Sequence, residues 1–232
     1  MVSPLFAQLA TATADAGVKV VVDGSGSSTV KIFLLLTLLS FAPAVLVSLT
    51  SFTRIVVVLS FLRQALGTPQ LPPNPVIIGL ALFLTFFVMT PTLEGVYGKA
   101  IRPYLDDEIG HEEAIEAGSE VLRAFMLEHT REEDLVLFYG ISGRERPHRG
   151  EALPMSVVIP AFMVSELTTA FRMALFIFIP LVLIDLMVAA LLMSMGMVMV
   201  PPVMISLPLK VGVFLVADGW HLVVASLAGS YG

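Results

Sequence analysis

The stretch that decides the fold is AFRMALFIFIPLVLIDLMVAALLMSMGMVMVPP, from Ala170 to Pro202. Between Ala170 and Val200 it is almost continuously apolar, interrupted at Pro180 and carrying Arg172 and Asp185 inside the run. A helix that crosses a bilayer needs about 20 mostly apolar residues. Lipid offers the backbone no hydrogen-bond partner, so a segment of this kind must be a helix and not an open strand. Three further runs share the character: Ile32 to Leu49, continuing past Arg54 through Ile55 to Leu66; Val76 to Leu93; and Val203 to Leu227. The pattern predicts four spans grouped as two hairpins.

Composition agrees. The chain has 232 residues, 56% hydrophobic and 14% charged, and its mean hydropathy is +0.90. Soluble domains run at about 45–50% apolar and about 25% charged. A net charge of −6 argues against nucleic acid as the main partner. There is no cysteine, so disulfides and thiolate metal sites are excluded and the redox compartment is not legible.

Four segments follow. Residues 1–29 are an N-terminal extension ending in the Gly/Ser-rich stretch Gly24 to Ser28, which reads as a flexible linker. Ala12-Thr13-Ala14 has the small-x-small form of a signal-peptidase site, but the apolar stretch before it is short and lacks a basic start. The match is either coincidence or the tail of a signal peptide, and the sequence leaves both open. Residues 30–93 form the first hairpin, closed by the proline-rich turn Gly67 to Pro75. Residues 94–155 are a polar insert holding most of the charge, with apolar positions at Val121, Leu122, Phe125, Met126, Leu135, Leu137 and Phe138 that predict short amphipathic helices and a loop over residues 140–150. Residues 156–232 form the second hairpin. The expected fold is all-α and membrane-type, with a small helical extramembrane insert, which we expect outside the cytoplasm.

No catalytic constellation is present. His111-Glu112-Glu113 lacks the second histidine of a zinc helix, and Gly24-Ser25-Gly26 is followed by no Gly-Lys-Ser/Thr. No enzyme activity, metal or cofactor is expected. The informative polar residues are the charges inside apolar runs: Arg54, Arg63, Glu166, Arg172, Asp185, Lys210 and Asp218. A charge in the hydrocarbon centre costs at least about 2.5–3.5 kcal/mol, so each should face a partner, an aqueous lumen or the interface. Snorkelling suits Arg54 and Arg172 equally well. Asp185 and Asp218, mid-run, are expected as charges buried against partner subunits. Glu166, beyond the helix breaker Pro160, is expected to pair with a basic group on an adjacent copy. The alternating methionines Met193, Met195, Met197 and Met199 run into Pro201-Pro202. Ordinary packing accounts for them, but Gly196 and the prolines suggest an irregular loop, and such backbone is tolerated at membrane depth only inside protein or beside a water-filled cavity.

Ser51-Phe52-Thr53-Arg54-Ile55, Leu62-Arg63-Gln64-Ala65-Leu66-Gly67-Thr68-Pro69, Ile159-Pro160-Ala161-Phe162, Ser165-Glu166-Leu167 and Gly196 to Pro202 together resemble the FliP family of flagellar type III export-gate proteins, over about residues 30 to 230. The SctR family of injectisomes is close, but Thr53-Arg54-Ile55 and Gly67-Thr68-Pro69 resemble the flagellar branch more. The resemblance implies a multi-pass protein of the bacterial inner membrane, within the flagellar basal body. It implies a ring-like pentamer assembled with FliQ and FliR, passing unfolded flagellar subunits with FlhA, FlhB and the proton motive force. It implies that Met195, Met197 and Met199 form a pore gasket, and that Phe125, Phe138 and Glu166 lie at subunit contacts. The family has methionine where this chain has Val198, which we expect to face helix packing. A solute or ion transporter using Asp185, Lys210 and Asp218 as a relay, and a membrane anchor that recruits a soluble partner through the insert, are the competing readings.

Overall fold

The computed structural model describes residues 26–68, 70–143 and 153–232. Their regular elements are all helical: α1 (Gly26–Ser40), α2 (Ala42–Leu49), α3 (Phe52–Ala65), α4 (Asn74–Val96), a π-helical turn (Tyr97–Ile101), α5 (Arg102–Leu105), α6 (His111–His129), α7 (Glu132–Ser142), α8 (Met155–Ser194), α9 (Pro202–Val216) and α10 (Gly219–Gly229). The described residues fall into two compact units, divided between Pro43 and Ala44. In the first, α1 exposes Phe33, Leu35 and Leu39. The signal-peptide question falls outside the described residues. So does part of the proposed linker, although Gly26 to Ser28 open α1 and are not a linker.

In the second unit α8 is the axis. Its 40 residues run through both Pro160 and Pro180 without a break, where the sequence reading had placed interruptions. Each proline withholds one N–H from the ladder, a loss that packed neighbours can make good in a membrane-type helix. At 1.5 Å per residue the helix is about 60 Å long, twice the hydrocarbon thickness of about 30 Å, so it serves two layers. Its N-terminal half contributes Val158 and Phe162 to a cluster with Met89 of α4 and Phe125 and Met126 of α6. Its C-terminal half contributes Ala170 and Leu181 to a second cluster with Ile55, Val58, Leu59 and Leu62 of α3, Ile77 and Ala81 of α4, Phe214 of α9, and Val223 and Leu227 of α10. The polar insert is therefore continuous in packing with the helices on either side of it.

Among the described residues, only Asn74–Leu105 and Met155–Ser194 are single helices long and apolar enough to span a membrane. Just 22% and 17% of their most apolar windows are buried in the chain. The other two expected spans are bent pairs: α2 and α3 meet at 82°, and α9 and α10 at 63°. The first bend has a hydroxyl explanation. Thr50 Oγ1 donates to Leu46 O and Thr53 Oγ1 to Val47 O (2.7 Å), while Phe52 N–H donates to Thr50 Oγ1 (3.3 Å). Side chains thus take up backbone groups that the break frees. At the second bend Asp218 adopts a left-handed conformation, φ 50°, which aspartate tolerates better than most residues. The next residue, Gly219, lies against the Phe214 ring, and a Cβ there would come within 2.2 Å of it. Phe214 also meets Trp220 edge-on, with ring centroids 5.5 Å apart.

This contact makes the bend sensitive to one methyl group. Gly219→Ala should cost about 1–3 kcal/mol through overpacking and should shift Trp220 fluorescence, because Phe214 must move. A melting point and emission maximum equal to the parent's, in the same detergent, would show that the ring does not hold the bend.

Candidate functional site

The methionine loop follows from two termination signals. Helix α8 ends in a paired cap: Gly196 N–H donates to Met193 O (3.1 Å) and Met197 N–H to Leu192 O (2.9 Å). The cap needs a left-handed residue, which Gly196 supplies at φ 74°. Five residues on, Pro201 and Pro202 start α9, where a missing N–H costs nothing. Between these fixed points Met195, Met197, Val198 and Met199 are 71%, 40%, 80% and 95% exposed. Val198 does not face helix packing, contrary to expectation. The loop is held by its ends, and no core position is left for a side chain at 198. Apolar exposure continues past the loop into Val203 and Met204. Apolar side chains in one surface patch mark an interaction site.

The charges within apolar runs separate into three kinds. Arg54 on α3 and Glu166 on α8 are 3% and 0% exposed. Arg54 Nε donates to Glu166 Oε2 (3.1 Å) and Arg54 Nη2 to Glu166 Oε1. This two-pronged pair desolvates both ions together, and the fixed fork of arginine matches the carboxylate plane. Glu166 thus has its basic partner inside its own chain, where a neighbouring copy had been expected to supply one. Arg54 is not snorkelling. The preceding residue, Ser165, works the other flank: its Oγ donates to Asp134 Oδ2 (2.5 Å) and accepts from Arg131 N–H (3.0 Å). Arg131 grips Asp134 through Nε and Nη2, both at 2.9 Å. Ser165 and Glu166 together tie α8 to α7 and to α3.

Lys210 on α9 is the second kind. Its Nζ donates to Asp185 Oδ2 (2.5 Å) and to Ala65 O, the last residue of α3 (3.1 Å). Asp185 is half-buried, and its Oδ1 has no partner among the described residues. Asp218 is the third kind. Expected as a buried helical charge, it is exposed and lies outside the helices, at the α9–α10 break. A left-handed residue cannot continue either helix, and its side chain turns outward and caps nothing.

Phe125 is 8% exposed and packs on Phe162 (5.9 Å between centroids) and His129 (4.6 Å), so it belongs to the chain's own interior. Phe138 is half-buried on α7, beside exposed Val136, Leu137 and Ile141. Sequence reasoning did not single out Ser165, Arg131, Asp134 or the C-terminal Tyr231, which donates its hydroxyl to Glu166 Oε2. An SxxD-type spacing could not have revealed a bond between residues 31 positions apart. Among the described residues no group of three or more His, Asp or Glu side chains is placed to hold a metal.

The charge pair makes a quantitative expectation. Arg54→Ala and Glu166→Ala should each destabilise the chain by about 3–5 kcal/mol, because each strands a buried ion. The double variant should lose less than the sum of the two. Unfolding by titration with a denaturing detergent measures all three, and strict additivity would mean that the two groups do not support each other.

Comparison with known proteins completes the picture. The profile of the FliP family matches residues 35–227. The flagellar biosynthetic protein FliP of Bacillus subtilis is 50% identical over 205 residues, covering 88% of this chain and 93% of that protein. That of Pectobacterium carotovorum is 53% identical over 207 residues, covering 89% and 80%. That of Aquifex aeolicus is 49% identical over 214 residues, covering 90% and 88%. The match takes in the methionine loop, the Lys210–Asp185 pair and both members of the Arg54–Glu166 pair: the chain belongs to the FliP family.

Proposed function

We propose that the chain is the pore-forming core subunit of the flagellar type III protein export gate, passing unfolded flagellar subunits across the bacterial inner membrane. Its relatives are flagellar biosynthetic proteins, and its two long helices can each cross a bilayer. The observation that carries the reading is the loop between α8 and α9, which offers Met195, Met197 and Met199 away from the chain's own core. A channel for unfolded chains must admit many side-chain shapes and still exclude ions at rest. Thioether side chains deform with little rotamer strain and exclude water when packed together. In a ring of five copies, one such loop from each converges on the axis and closes it as a collar.

Assembly as a pentamer with FliQ and FliR, and operation with FlhA and FlhB in the basal body, give the exposed apolar helix faces their partners. The insert lies outside the cytoplasm in this arrangement. Phe138, with the exposed apolar positions around it on α7, offers a face to a second copy. Phe125 and Glu166 act on that face from within, by fixing α6 and α8. The chain carries out no chemistry of its own, and Lys210 with Asp185 holds α9 to α8 and the end of α3.

Replacing Met197 and Met199 together by alanine should leave assembly and some secretion in place but open the collar. Cells with that variant should swell faster in a permeant solute and grow poorly in high sodium. Full assembly with no leak above the parent's level would make the methionines ordinary packing residues.

A further inference from the structure

The last residues of the chain return to its buried charge pair. Arg54 Nη1 donates to Ser230 O (3.1 Å) and to Ser230 Oγ (2.9 Å). The Arg54 guanidinium carbon sits 3.9 Å above the centre of the Tyr231 ring, close enough for cation–π attraction. That ring stacks on Phe125 at 6.3 Å and 15° and meets the His129 ring at 5.0 Å. The Tyr231 hydroxyl donates to Glu166 Oε2 and lies 3.4 Å from Ser51 O. Burial, and after it the Glu166 carboxylate, push the Tyr231 phenol well above its ordinary range, so it remains a donor. Two residues at the terminus thus touch α3, α6 and α8 together. They are only half-buried, and Gly232 beyond them is exposed.

Ser230 and Tyr231 are held by polar bonds at one place, and they follow α10, a helix of 11 residues that starts at the left-handed Asp218. We infer that Ser230–Tyr231 is a strap that closes over the Arg54–Glu166 junction, and that its release opens the junction while the remaining core stays packed. Unwinding Ser230 and Tyr231 from the end of α10 withdraws both residues at once and leaves Val223 and Leu227 in the core; Glu166 then loses one hydrogen bond and its cover, while Arg54 loses two bonds and an aromatic face. Access to the most deeply buried charges is thereby coupled to the two residues that follow α10.

The cysteine-free sequence makes the strap testable by thiol labelling. Ser51 is 0% exposed and its Oγ has no partner, so S51C is nearly isosteric. Ala81, also 0% exposed, lies in the cluster that holds Val223 and Leu227 of α10, and A81C reports on whether that core stays packed. Both single-cysteine versions of the full-length protein are purified in mild detergent and reacted with N-ethylmaleimide. Tyr231→Ala should speed labelling at S51C at least ten-fold and leave A81C unchanged. Tyr231→Phe, which keeps the ring and loses the hydroxyl bond, should give an intermediate rate at S51C. Two results overturn the inference: unchanged labelling at S51C in Tyr231→Ala, which would mean that the junction is sealed without the strap, and equal acceleration at both cysteines, which would mean that Tyr231 supports the whole core.

Discussion

A carboxylate with no access to water must be met by a cation and by enough donors to occupy its oxygens. Glu166, in the N-terminal half of the longest described helix and 0% exposed, imposes that requirement on this chain. Arg54 comes from 112 residues away to answer it, which fixes the position of α3 on α8. With α3 fixed, its C-terminal carbonyl at Ala65 lies where Lys210 reaches it, and α9 follows through the Lys210–Asp185 pair. On the other flank Ser165 places Arg131 and Asp134, and with them α7. Apolar packing supplies the bulk of the contact, but it is non-directional. In a chain whose surface is as apolar as its interior, the polar pairs set which faces meet.

The two clusters of buried side chains show how one helix serves two environments. The N-terminal half of α8 packs with the amphipathic helices of the insert, and the C-terminal half with α3, α4, α9 and α10. A helix of about 60 Å crosses from one layer to the other without a joint. The two packing clusters therefore share one continuous helix, with no loop intervening.

Much of this was legible in the residues. Long apolar runs declare helices by length alone, and the Gly196 and Pro201–Pro202 punctuation declares the methionine loop, because both signals are local. The amphipathic pattern around Phe125 and Leu135 likewise places α6 and α7. What stayed hidden depends on distance in sequence. The partner of Glu166 was sought on another copy because no basic residue lies three or four positions from it on the helix and nothing marks Arg54 as its match. The bends at Thr50–Ser51 and Asp218 sit in runs with the composition of straight spans, and they exist because hydroxyls and a single aromatic ring accommodate them. Pro160 and Pro180 read as breaks because local rules treat them so, whereas packing along both sides of α8 carries the helix through. Asp218 was misread in the opposite sense: a charge that looked buried marks the one place where the helix stops.

The capped and proline-bounded frame of the methionine loop has a chemical consequence. The cap at Gly196 and the two prolines do not use the intervening side chains, so the frame persists whatever those side chains become, and the thioethers stand outside it, with Met199 95% exposed. Sulfur in that position is open to oxidants. Conversion to sulfoxide would leave the turn intact while replacing a soft apolar tip by a polar one. The loop would keep its shape and lose its dryness, so a collar of such loops would age by wetting long before it aged by unfolding.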